Sequence, residues 1–71
     1  MNVEINGIVY TVEARGRAKA VQRAAELAAK KSNAPGSAGI PKFRGYESGG
    51  VVYLVDVAGI TYLAIVRNSG E

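Results

Sequence analysis

Cysteine and histidine are both missing from this chain of 71 residues. Without thiols there is no disulfide to staple a small core and no thiolate to hold a metal. Without imidazole the commonest general base and the commonest transition-metal ligand are gone as well. Tryptophan is absent, and phenylalanine and methionine occur once each. The longest apolar run falls far short of the ~20 residues that span a bilayer. The start, MNVEING, has neither a basic segment nor an apolar one, so no secretory signal is expected. The acidic residues Glu4, Glu13, Glu26, Glu47, Asp56 and Glu71 are scattered, with no couple set in a shared cleft. Triads, carboxylate pairs and metal-ligand spacings are therefore all lacking, which argues against an enzyme and leaves no metal or cofactor to expect.

What remains is a chain of ordinary globular hydrophobicity, 48%, long enough for one small domain over residues 1–71. Net charge is +3, from nine Lys+Arg against six Asp+Glu. That balance permits an acidic or nucleic-acid partner without requiring one. A soluble protein of the cytoplasm is the expectation.

Asn6-Gly7 lies between two alternating segments, the strongest short-range signal for a hairpin, because both residues tolerate positive φ. A two-residue loop there pairs Ile5 with Ile8, Val3 with Tyr10 and Met1 with Val12, an apolar face throughout. Asn2, Glu4, Val9, Thr11 and Glu13 fall on the other side. Residues 17–31, RAKAVQRAAELAAKK, read as the one helix, with Val21, Ala24, Ala25 and Ala28 at helical spacing and Ala20 and Leu27 flanking them. Its start breaks a local rule. Gly16 is the best available cap, and Arg15 and Arg17 set positive charge where the helix dipole is already positive. Arg15, Arg17, Lys19 and Arg23 are candidate contacts for an acidic or nucleic-acid partner; the plainer account has the arginines reaching Glu13 or water.

The stretch SNAPGSAGIP, residues 32–41, reads as a slack crossover and lacks the Gly-Lys-Ser/Thr of a phosphate loop. KFRGYE then leads into the most apolar part of the chain, VVYLVDV and ITYLAIV around Ala58-Gly59. A two-residue turn there puts Val51, Tyr53, Val55, Val57, Ile60, Tyr62, Ala64 and Val66 on one face. Val52, Leu54, Leu63 and Ile65 occupy the other, with Asp56 opposite Thr61. If Ser48-Gly49 is likewise a two-residue turn, Phe43 sits beside Leu54, and Lys42, Arg44 and Tyr46 join the face of Tyr53; a three-residue turn reverses this.

Together these elements predict an α+β fold. It has a five-stranded antiparallel sheet, elements in the order β-β-α-β-β-β, and one helix packed on one face. The alanine stripe is expected against Phe43, Val52, Leu54, Leu63 and Ile65, with the apolar face of the first hairpin completing that core. Lys42, Arg44, Tyr46, Tyr53, Val55 and Tyr62 then form an uncovered, tyrosine-rich face, too apolar for water. Its occupant is a second copy in a homodimer, a protein target, or single-stranded nucleic acid stacked on the tyrosines. The competing arrangement exchanges the two faces, with the tyrosine side as core.

Two resemblances bear on function. FRGYESGGVVYLVDVAGITYLAIV resembles the last strands of ribosome-dependent toxin nucleases of the RelE type, over about a third of the chain; no catalytic cluster of that family is matched and no residue is carried over. In layout the chain is similar to small phage-encoded anti-CRISPR proteins built from a five-stranded sheet and one helix. That similarity spans most of the chain and rests on element order and on VEA leading into a lysine-bearing helix. It implies a non-enzymatic inhibitor that occupies the guide- or DNA-binding surface of a CRISPR surveillance complex in the cytoplasm of a bacterial host. A nucleic-acid-binding protein is the alternative. No membrane partner is expected.

Overall fold

The computed structural model describes residues 1–47 and 49–67. Ser48, half of the expected third turn, lies outside that range, as does Glu71. Two strands, β1 (Asn2–Ile5) and β2 (Ile8–Thr11), precede the helix α1 (Arg17–Lys31); β3 (Lys42–Glu47), β4 (Gly50–Val57) and β5 (Ile60–Arg67) follow it. The strands form one antiparallel sheet in the order β2-β1-β5-β4-β3, and α1 lies across one face. The predicted α+β architecture and element order are those observed.

Both two-residue turns have the geometry their residues favour. Asn6 and Gly7 take φ of 53° and 78°, and Ala58 and Gly59 take 52° and 82°, both type I′ in φ. The registers follow as expected: Val3 opposite Tyr10 in the first hairpin, Val55 opposite Tyr62 and Val57 opposite Ile60 in the last. The β1–β2 ladder extends one step further, since Met1 and Val12 exchange backbone hydrogen bonds of 2.8 and 2.9 Å. The first hairpin is tied to the last by the β1–β5 pairing, which sets Val3 opposite Val66 and Ile5 opposite Ala64.

That pairing decides which face is core. Side chains directly opposite in a sheet share a face, so Val3 and Ile5 join Val66, Ala64, Val55 and Val57. Against them α1 packs Ala20, Val21, Ala24, Ala25, Ala28 and Ala29, all buried, with Tyr10 and Val12 closing the side toward β2. The expected assignment of faces is therefore reversed. Val55, read as a partner contact, is 1% exposed in the core, and Tyr53 and Tyr62 are half-buried against it. The Val52, Leu54, Leu63 and Ile65 face is the one away from the helix. It is flanked by polar pairs: Thr11 donates to Asn2 (3.0 Å), Thr61 donates to Asp56, and Arg67 donates to Glu4 (3.0 Å). The expected face of Tyr53, Val55 and Tyr62 is therefore covered by the helix in large part and is not left open.

The crossover is not slack. Asn33, at φ 58°, closes α1 in a Schellman motif, with Asn33 N–H on Lys30 O and Ala34 N–H on Ala29 O. Ser37 Oγ donates to Ala34 O and accepts from the Ala58 N–H, while Gly39 N–H meets Asp56 O at 2.8 Å. The loop thus holds the tip of the last hairpin.

Two turn and strand positions yield stability predictions. Ala58 is a non-glycine residue in the left-handed region, so Ala58→Asn is expected to raise the unfolding free energy by about 0.5–1 kcal/mol in urea titration. A Cβ at Gly50 would stand 2.7 Å from Ile65 Cγ2 and 2.9 Å from Val66 O, the latter fixed backbone. Gly50→Ala should destabilise by about 1–3 kcal/mol, whereas Gly45→Ala, where a Cβ meets nothing within 4 Å, should stay within about 0.5 kcal/mol of the parent.

Candidate functional site

In a regular strand, residues three apart face opposite sides. Phe43 and Tyr46 are three apart, yet their rings meet edge to face with centroids 5.5 Å apart. The cause is a β-bulge. Gly45 pairs with Val52 and Phe43 with Tyr53, so Arg44 is the extra residue, and everything before it changes face. From Glu47 to Gly45 the pairing is the one expected from a two-residue turn. Before that it slips by one, so that Phe43 lies beside Tyr53 instead of Leu54, and Lys42 lies opposite Leu54. Phe43 also packs edge to face on Tyr53 at 5.9 Å.

These three rings lie on the helix side of the sheet, but beyond the helix. α1 makes its contacts with β4, β1, β5 and β2 and leaves β3 without a comparable cover. Tyr53 is half-buried, while Phe43 is 56% exposed and Tyr46 80% exposed. Ile40, just before Pro41 on the same edge, is 81% exposed. Edge-to-face pairs contribute about 0.5–1.5 kcal/mol each, so the rings hold one another in place without being buried. Lys42 projects to the opposite face, and Arg44 borders a shallow depression of ≈ 250 Å³ with Gly45, Glu47, Val52 and Leu63.

Of the residues expected to bind a partner, then, Lys42, Arg44 and Tyr46 are gathered on β3 and exposed. Val55 and the half-buried Tyr53 and Tyr62 belong to the sheet's helix side. Phe43, expected in the core, is the residue the sequence reading left out. The one hint was Gly45, since glycine inside a strand often marks a bulge. At the helix start, Arg15, Lys19 and Arg23 surround a second depression with Glu13, and Arg17 is exposed outside it. Gly16 is the N-cap, extended at φ −152°, with no side-chain capping bond and no acidic residue in the first turn.

Among the described residues no three of His, Cys, Asp and Glu are grouped to hold a metal ion, and no helix is long and apolar enough to cross a membrane. No family model matches the chain, and no curated protein or solved structure is significantly similar to it. The surface must be read from its own chemistry.

The cap position offers a clean probe. Gly16 has extended backbone and open space where a Cβ would stand. An aspartate there would accept from the first free N–H groups and offset the Arg15–Arg17 charge. Gly16→Asp should therefore stabilise the fold by about 0.5 kcal/mol in thermal or urea unfolding.

Proposed function

We propose that this protein is a non-enzymatic binding protein that acts by covering a surface of a protein or nucleoprotein target with its β3 edge. One observation carries the reading: the bulge at Arg44 turns Phe43 and Tyr46 to the same side, uncovered, on a strand that also exposes Arg44 and, on its other face, Lys42. Bulges recur where a side chain has to be re-aimed, and tyrosine and arginine are typical interface anchors. The rings are braced by Tyr53 before any partner arrives, so little side-chain freedom is lost on binding. The layout similarity to anti-CRISPR proteins would make the target a CRISPR surveillance complex and the effect an inhibition of its guide- or DNA-binding surface.

Nucleic acid is the second reading, favoured by the grouping of Arg15, Lys19 and Arg23 and by rings that offer a stacking platform. The two readings separate on salt. If Lys42 and Arg44 meet two phosphates of a single strand, log affinity should fall with log salt at a slope of roughly −1.4. Adding Arg15→Ala and Arg17→Ala should then abolish binding. Undetectable binding to DNA and RNA at low salt sinks that reading.

The inhibitor reading is tested in bacteria whose CRISPR system blocks a phage. Expression of the protein should restore plaque formation, and Tyr46→Ala combined with Arg44→Glu should remove the effect while leaving the protein folded, at a loss of no more than about 1.5 kcal/mol in unfolding free energy from the lost ring pair. No rescue by the parent protein rejects a CRISPR complex as target. Rescue that survives the double substitution rejects the β3 edge as the contact.

A further inference from the structure

We propose that β2 is the seam of a homodimer, in which two copies pair β2 against β2 about a two-fold axis and continue the sheet from one chain into the next. A free sheet edge invites pairing unless it is blocked. The two edges here are treated differently. β3 carries Lys42, the bulge at Arg44 and Pro41 at its start, three devices that discourage strand addition. β2 reads IVYT, with no charge, proline or bulge, and Ile8 and Val9 are both exposed.

The phase of the ladder shows which groups are free. Met1 and Val12 exchange hydrogen bonds, and bonded pairs alternate along an antiparallel ladder. Val3–Tyr10 and Ile5–Ile8 are therefore the other bonded pairs, and the N–H and C=O groups of Val9 and Thr11 point away from β1. A two-fold axis through Tyr10 sets Val9 of each copy opposite Thr11 of the other, which satisfies all of these groups.

The neighbouring helix face favours a second copy over a foreign strand. α1 runs antiparallel to β2, and the groove between them is uneven in charge, with only cations at one end and both of its glutamates at the other. Lys31 flanks it beside Ile8, with its Nζ 5.8 Å from the Tyr10 ring centroid; Glu13 and Glu26 flank it beside Val12, together with Arg23, and Lys30 borders both ends. A two-fold axis reverses the groove, so the Lys31 end of one copy meets the end of the other that holds Glu13 and Glu26. Leu27, half-exposed on an otherwise alanine-faced helix, lines both ends and falls near the axis, where its copy would cover it. Self-complementarity of this kind is what an isologous interface requires.

Sedimentation equilibrium of the full chain should give twice the 7.4 kDa chain mass at high micromolar concentration. The monomer mass there overturns the proposal. Val9→Pro removes an outward N–H without touching the β1 ladder and should give a folded monomer by circular dichroism. A folded Val9→Pro protein that still dimerises also overturns it. Should that variant not fold, charge exchange decides. Lys30→Glu with Lys31→Glu, and separately Glu13→Lys with Glu26→Lys, should each be monomeric and form a heterodimer when mixed. Homodimers in either variant, or no recovery on mixing, reject β2 as the seam.

Discussion

One helix has to cover a five-stranded sheet, and it is too narrow to do so. Strands about 4.8 Å apart make the sheet about 19 Å across between its outer strands, while a helix with its side chains is only about 10–12 Å wide. Alanine narrows α1 further and lets it lie close on Ala64, which is fully buried. The core is accordingly drawn from β1, β5 and β4 with part of β2, and the helix side of β3 is left open. The exposure of Phe43, Tyr46 and Leu27 follows from this mismatch of widths.

Local elements were legible because each is set by a few neighbouring residues. Asn6-Gly7 and Ala58-Gly59 specify their turns, the turns specify register, and the helix bounds Arg17 and Lys31 coincide with the alanine-rich run. The choice of face was not legible in the same way, because it depends on how β1 meets β5, a contact between residues some sixty positions apart. Shifting that pairing by one residue would have moved the first hairpin to the other side. Two signals nevertheless pointed the right way. Asp56 and Thr61 lie on the Val52–Leu54 side of the last hairpin, and polar residues belong toward water. Ala64, a small residue among larger ones in β5, marks where a second element comes closest.

The bulge was hidden for a different reason. A period-two reading assumes that no residue is inserted, so one unpaired residue inverts every assignment before it. That inversion changed the functional reading as much as the fold. Phe43 moved from expected core to an exposed position, and Lys42 moved away from the tyrosines. The basic helix start was visible at once as a departure from capping rules, since caps depend on only a few residues. Its meaning stays tied to charge alone.

The two sheet edges give these features a common logic. An edge strand can present side chains or backbone, and the chemistry that favours one disfavours the other. Proline, a bulge and two cations spoil β3 as a template for pairing, yet they splay Phe43, Tyr46 and Arg44 outward as a side-chain surface. β2 has no such devices, and its outward backbone groups and its apolar Ile8 and Val9 suit strand addition. Because β2 and β3 are the two outermost strands, pairing through β2 leaves each β3 at a far end of the extended sheet. A dimer built that way would carry two aromatic edges facing away from each other. A target displaying repeated sites could then be held at two points, with the second contact strengthened by proximity and not by any new interaction.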